Sequence, residues 1–599
     1  MLSDTSRVVF LHFPSNYTHI VIKIILNLNT IKKPLLLLTL LVLLFSCIKE
    51  EFEPIETEQV EIEQIDLSGM TKLGQRLENP YSVRNMKKAW ESLQKTPQLS
   101  KSVDIETTHL YVKFSPKSEE ELGILKQDST LVLYDIPLDF EVVENGDFYH
   151  DPEVPTDRPT YQYTAIPVDK QLPSGVEYEI LEELFIPDQD GEYDAGVDYE
   201  KPSKSFTSKQ TIEQLVDESL RLTGNLMNNE IGNSLTAKSE LMLARSKWRP
   251  AGTIRVYDHA INSFVGVSGV EVRARRWFTT YKGTTDNNGN YTCDGRFRRD
   301  ANYSITWELY DYSIRKGFFI QAKYDGPKRR GDWNLDLGSS SSITVDDKQQ
   351  YYALIHQAAY DYYHGDRFGL TSPPRNAFWK RQITIVAKPA GGTSSYIKAR
   401  GIIGVAAEIF VRKWNNKSFR VYGTTIHELA HAAHQEVDNG AYNDLVWDAY
   451  IGVCSTPPIG FGNNCNINLG PTANNTRRLL ETWPTTVEIL FTTHRYRNRF
   501  GITNYEYYDK NFQMIKIDEE NHYTSAGWDM LDNINQRIIY GYLDSTSYPI
   551  DRVSGYNIVQ LEQALIDAYS WEDWRDNIKD DFSNPTEVYL DELFANWTD

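Results

Sequence analysis

His427-Glu428-Leu429-Ala430-His431 places histidines at i and i+4. On a helix that spacing sets two imidazoles on one face, close enough to share one metal ion, and puts the glutamate beside the first of them where it can handle the proton of a water molecule. HExxH on a helix therefore predicts a zinc ion (Zn2+) held for hydrolysis, with Glu428 as general base. The flanking residues favour a helix. Thr424 and Thr425 can cap its start, Leu429, Ala430, Ala432 and Ala433 suit its interior, and Asn439-Gly440 can stop it.

A catalytic zinc needs a third protein ligand and one open position for water. The arrangement HExxHxxGxxH requires a glycine at position 434 and a histidine at 437, where this chain has His434 and Val437. That leaves a carboxylate further along. Glu481 is the leading candidate, in Arg477-Arg478-Leu479-Leu480-Glu481-Thr482-Trp483-Pro484-Thr485-Thr486-Val487-Glu488, an apolar-periodic segment that reads as a second helix continuing to about Tyr496. Pro484 either opens that helix or kinks it, which puts Glu481 at a break in regular structure. Asp438 and Glu488 are the alternatives. Glu488 lies about 10 Å beyond Glu481 by helical rise, so one ion cannot take both through a straight helix. His434 falls on the face of His427 but beyond the ion, as a packed or supporting residue.

Tyr422-Gly423-Thr424-Thr425-Ile426-His427-Glu428-Leu429-Ala430-His431, followed about fifty positions later by Glu481-Thr482-Trp483-Pro484, resembles the gluzincin-type zinc metallopeptidases found among lipoproteins of Bacteroidota-type bacteria, which pair HELxH with an E(S/T)W helix. The likeness is specific in these two motifs and extends loosely over about residues 345–545. It implies a zincin fold, His427, His431 and Glu481 as ligands, and Glu428 as general base. The spacing from His431 to Glu481 exceeds that of the compact thermolysin-like arrangement, so an insertion must be looped out. Cys454 and Cys465 bracket a Pro/Gly/Asn-rich stretch inside it, and a disulfide there could contribute about 3 kcal/mol by restricting the unfolded chain. A pair of zinc thiolates is the competing reading. Cys293, in an expected strand, reads as a buried free thiol.

The start of the chain bears on location. Lys32-Lys33 precedes the apolar run Leu35 to Phe45, and Leu44-Phe45-Ser46-Cys47 resembles the lipobox cut by bacterial lipoprotein signal peptidase. The run falls far short of the about 20 residues needed to span a bilayer. The expected mature protein begins at a lipid-modified Cys47. Its acidic exit, Lys49-Glu50-Glu51-Phe52-Glu53, resembles the signal that sends lipoproteins to the outer face of the outer membrane, with the periplasmic face as the alternative. Residues 1–30 read as an overextended gene start.

With 62 basic and 83 acidic residues, the formal charge of -21 argues against a nucleic-acid partner. The length calls for several domains, and the fold class expected is multidomain α+β. Residues 1–47 form the signal peptide and lipobox, 48–100 an acidic tether and helical segment, and 101–206 an N-terminal α+β domain. In that domain His109–Phe114 and Leu131–Tyr134 read as strands and Glu119–Lys126 as a helix. Residues 207–249 form a helical connector and 250–340 a β-sandwich. Residues 341–545 form the zincin-like catalytic domain and 546–599 a C-terminal helical segment. The sandwich region, with Thr253-Ile254-Arg255-Val256-Tyr257, Val270-Glu271-Val272-Arg273-Ala274 and the turn Asp286-Asn287-Asn288-Gly289-Asn290-Tyr291, resembles carboxypeptidase-regulatory or transthyretin-like domains.

Glu408 to Arg412 is the strand expected, by the same resemblance, to lie at a sheet edge upstream of the active helix and pair with extended substrate. Downstream, Tyr523 or His522 is the candidate for stabilising a tetrahedral oxyanion. His356 and His364 read as packing or surface residues. Two functions of different classes follow: a zinc endopeptidase acting on proteins or glycoproteins, and a non-catalytic adhesion or scaffold lipoprotein with a zincin-like binding domain. The intact Glu428 favours the first.

Overall fold

Period-two alternation in His109-Leu110-Tyr111-Val112-Lys113-Phe114 gives the first sheet two apolar faces. Tyr111 points into one cluster of buried residues, and Val112 and Phe114 into another. The computed structural model describes residues 69–95, 103–187, 209–226, 247–317, 319–344, 347–377, 382–388, 394–396, 409–413, 416–451, 471–502, 515–517, 522–540 and 547–597. Cys47 with its lipobox and the Cys454–Cys465 loop lie outside them. The architecture is mixed α+β. Among the described residues no helix is long and apolar enough to cross a membrane.

The N-terminal part contains β1 (Lys72–Arg76), α1 (Val83–Gln94), β2 (His109–Phe114), α2 (Glu119–Gln127), β3 (Phe140–Glu144), β4 (Gln162–Pro167), β5 (Tyr178–Leu184) and α3 (Lys209–Leu222). β2 is the centre of an antiparallel sheet of order β4-β2-β5, and α1 packs on α3. Leu131–Tyr134 is not a strand: only Tyr134 makes a β-bridge, exchanging backbone hydrogen bonds with Tyr163 on the outer edge of β4.

Two four-stranded sheets follow. One is built from β6 (Ala251–Asp258), β7 (Ser263–Gly266), β10 (Asn290–Thr292) and β14 (Trp333–Leu337), the other from β8 (Glu271–Arg276), β9 (Thr279–Thr284), β11 (Ala301–Thr306) and β13 (Lys323–Arg329). Ile254 and Val256 from the first and Val272, Ala274 and Ile305 from the second belong to one buried cluster. In the turn before β10, the Asp286 carboxylate accepts from the Asn288 and Asn290 amides. Gly289 sits there at φ +81°, where a Cβ would come 2.1 Å from the Ile254 carbonyl oxygen, so only glycine fits.

One strand within the expected sandwich span of residues 250–340 joins neither of these two sheets. β12 (Tyr312–Arg315) lies inside that span yet pairs in parallel with β15 (Ile383–Ala387), in a sheet of order β12-β15-β17-β16. All four residues of β12 are buried, as suits a strand covered on both faces rather than half-exposed in a sandwich. β17 (Ile409–Val411) is not the edge strand expected of it. The two-residue β16 (Ser395–Tyr396) pairs antiparallel along its outer side, and β17 is itself wholly buried.

Beside this sheet lie α4 (Lys348–His364) and the helix that carries HExxH, α5 (Ser418–Val437), which packs on α4, β16 and β17. Helix α5 starts earlier than Thr424, because Val421 and Tyr422 extend its buried face by a turn. Thr425 is interior and donates its hydroxyl to the Val421 carbonyl. The cap comes from the end of β6 and the residue after it: the Ser418 amide donates to His259 Nδ1 at 3.0 Å, and the Ser418 hydroxyl lies 3.1 Å from an Asp258 carboxylate oxygen. At the other end Asp438 accepts from the Gly440 and Ala441 amides and so caps α6 (Asn439–Val446).

Helix α7 (Pro471–Thr493) runs through Pro484, so that proline neither opens the helix nor places Glu481 at its end. A π-helical turn, His494–Arg499, follows. The remaining helices are α8 (Ala526–Asp529), α9 (Gln536–Tyr540), α10 (Ile558–Gln563), α11 (Trp571–Asp581) and α12 (Leu590–Ala595). Trp571 and Trp574 of α11 pack against Phe594 of α12, the first tilted and the second edge-on, and Glu572 accepts from the Asn475 amide of α7.

Candidate metal centre

Helices α5 and α7 pack along each other. That packing delivers Glu481 between the two histidines. Glu481 Oε2 is 3.3 Å from His427 Nε2 and 3.5 Å from His431 Nε2, and one ligand atom from each residue lies within 4.8 Å of the others. The imidazole rings are 4.9 Å apart. All three residues are buried but retain 6–7 % exposure.

Charge is concentrated here. Burial opposes protonation of His427, but hydrogen bonds to Glu481 and Glu488 outweigh it and push the ring up to about 10. Burial lowers His431 despite the same Glu481. Glu481 is pushed up by burial and pulled down harder by the two histidines, which hold it well below the ordinary carboxylate range. Burial drives Glu428 up to about 8, with His427 opposing and Glu481 adding to the rise. One Glu428 carboxylate oxygen and His431 Nδ1 are buried with no hydrogen-bond partner. Two imidazole nitrogens and a carboxylate oxygen converging on one buried point form the donor set of a catalytic zinc site, so the residues fit that ion.

Glu488 has a role that its sequence position did not disclose. Its Oε2 is 3.3 Å from His427 Nδ1, so the ring donates to Glu488 through one nitrogen and turns the other toward Glu481. The signal available was a second carboxylate two helical turns beyond the first, on nearly the same face. Asp438 is remote from ligation: besides capping α6, its second oxygen accepts from the Asp567 amide. His434 packs edge-on to Tyr442, ring centroids 5.0 Å apart, with both nitrogens buried and unpartnered.

Tyr523 is brought to the site, its ring centroid 5.9 Å from that of His427, and it is 37 % exposed. His522 is half-buried beside it. His356 is fully buried, bonded to Ser268 and Tyr312, and His364 is exposed near Asp311; neither belongs to the cluster's ligand set. Cys293 is a buried free cysteine. Comparison with protein-family models, with curated proteins and with solved structures finds no match for this chain.

Proposed function

We propose that this chain is a gluzincin-type zinc metalloendopeptidase that hydrolyses internal peptide bonds of proteins or glycoproteins. The observation that carries the reading is the convergence of His427, His431 and Glu481 on one buried point, with Glu428 next in the chain and one of its carboxylate oxygens buried without a hydrogen-bond partner. His427 and His431 would hold the ion through Nε2 and Glu481 through its carboxylate. Zinc, when bound there, supplies Lewis acidity and makes a water molecule a nucleophile near neutral pH.

The chain's own residues manage the proton and the charge. Glu428 takes the proton from water attacking the scissile carbonyl and returns it to the leaving amine. Its carboxyl is tuned upward by burial, toward the range in which a group can both accept and release a proton near neutrality. Tyr523, at the open side of His427, donates its phenol to the oxyanion. Glu488 fixes the His427 ring. No covalent intermediate with the protein is needed.

The same reading makes residues 250–340 a transthyretin-like module, a view supported by its paired four-stranded sheets. It makes the protein an outer-membrane lipoprotein anchored through Cys47 and exposed at the cell surface. The test is metal exchange: a chelator should abolish cleavage of an internally quenched peptide, and zinc at about one equivalent per chain should restore it. Hydrolysis that persists in metal-free protein would overturn the proposal.

A further inference from the structure

The loop that carries Tyr523 is fastened to the helix that carries Glu481, and one hydroxyl makes the fastening. Thr482, the residue after Glu481, is fully buried. Its Oγ1 lies 3.1 Å from the His522 carbonyl oxygen, 3.3 Å from the Thr524 amide nitrogen and 3.0 Å from Thr524 Oγ1. A hydroxyl has one proton to donate and two lone pairs to accept with. The carbonyl can only accept and the amide can only donate, so Thr482 donates to His522 and accepts from Thr524. The Thr524 hydroxyl then donates to Thr482 and accepts from the Ala526 amide, 3.2 Å away. Every position is used, and the two bonds to main chain fall on the residues either side of Tyr523.

A second contact holds the same segment one helical turn on. Thr486 Oγ1, which donates to the Thr482 carbonyl, lies so close to Gly527 that a Cβ there would sit 1.9 Å from it. The backbone of 522–527 is thus docked on α7, with the Tyr523 ring held near that of His427.

We infer that Thr482 is a positioning residue for Tyr523, setting the phenol in register with the metal-ligand helix. A donor fixed before the reaction stabilises developing charge without reorganising, and small misplacements of such groups are costly in rate. The inference rests on the zinc-peptidase reading above for its effect on rate, but the anchoring itself is a property of the fold.

The experiment uses the full zinc-loaded chain and the variants Thr482→Val, Thr482→Ser, Thr524→Ala, Tyr523→Phe and the double variant Thr482→Val/Tyr523→Phe. Zinc content, kcat and KM on a quenched peptide, and amide hydrogen exchange are measured for each. Tyr523→Phe should lower kcat by about 10²-fold and Thr482→Val by about tenfold, with zinc content unchanged and KM within about twofold. Thr482→Ser should stay within about twofold of the parent. In the Tyr523→Phe background Thr482→Val should cost less than about twofold more, since a residue that acts through the phenol has nothing left to position. Thr482→Ala takes the place of Thr482→Val if the valine variant folds poorly, and Thr524→Ala, which keeps both main-chain bonds to Thr482, should lose less than either.

Additive losses in the double variant, or a parental kcat in Thr482→Val, would overturn the inference. So would a parental rate in Tyr523→Phe, which would leave the zinc-peptidase reading standing. Exchange separates the two claims further. Faster exchange confined to 522–527 in Thr482→Val supports the anchoring even in a chain that hydrolyses nothing, whereas unchanged exchange there removes it whatever the rates.

Discussion

Glu488 offers the sharpest quantitative handle on the site. Helix α7 presents two carboxylates to opposite nitrogens of one imidazole: Glu481 at 3.3 Å from Nε2 and Glu488 at 3.3 Å from Nδ1. Donation from Nδ1 fixes the tautomer and the ring plane, which leaves Nε2 as the ligand atom. His431 has no such support, because its Nδ1 is buried without a partner. The orientation of the His427 ring therefore depends on Glu488. Losing an outer carboxylate of this kind lowers metal affinity by about 10- to 100-fold. The 3.3 Å separation exceeds the about 2.7–2.9 Å of a strong charge-assisted bond, which puts Glu488→Ala toward the lower end, at about 10- to 30-fold or roughly 1.4–2 kcal/mol. Glu488→Gln keeps an acceptor oxygen but not the charge, so it should lose about 3- to 10-fold. Competition for zinc against a chromophoric chelator at fixed pH gives the affinities, and circular dichroism checks the fold. A folded Glu488→Ala chain that binds zinc within about twofold of the parent would refute the orienting role.

Three further outcomes are expected. Cys47→Ala should abolish fatty-acid labelling and release the protein from the membrane fraction; a mutant that still labels would end the lipoprotein reading. His259→Ala removes the acceptor for the Ser418 amide at the start of α5 and should cost about 1–2 kcal/mol in urea denaturation, so an unchanged midpoint would show that the cap is dispensable. His356 donates from Nε2 to the Ser268 carbonyl and accepts from the Tyr312 hydroxyl, and burial pushes it down to about 4. The unfolded chain therefore takes up a proton below about pH 6.5 that the folded chain refuses until about pH 4, and roughly 3 kcal/mol of stability should be lost across that window. Thermal melts of His356→Gln should show a shallower acid limb than the parent, and parallel limbs would contradict this.

The motif residues were legible because helix geometry is local: i and i+4 share a face wherever the helix begins, so His427 and His431 meet even though α5 starts a turn and a half before the threonines that seemed to cap it. The caps were not legible, because the acceptors for Ser418 come from His259 and Asp258, far away in sequence. Glu481 could be proposed from its motif, but the choice between it, Asp438 and Glu488 needed the packing of α7 on α5. Pro484 misled, since a proline one turn beyond Glu481 removes one donor without ending a helix buried on this scale. Leu131–Tyr134 has strand composition but meets the open edge of β4 at Tyr134 alone. The edge position went to Ser395–Tyr396, too short and too polar a stretch to read as a strand, and β12 left the sandwich because pairing partners are chosen in three dimensions. Thr482 carried no sequence signal for its role beyond following a ligand, since its partners lie about forty residues on.

The central claim is that this cluster hydrolyses peptide bonds with Glu428 moving the proton, and one comparison tests it most directly: digestion of an unbiased peptide library by the parent chain and by Glu428→Gln, each at one zinc per chain. The account predicts internal cleavage by the parent and a loss of about 10²- to 10⁴-fold in the variant at equal zinc content. No cleavage by the zinc-loaded parent, or equal cleavage by the two proteins, would contradict it.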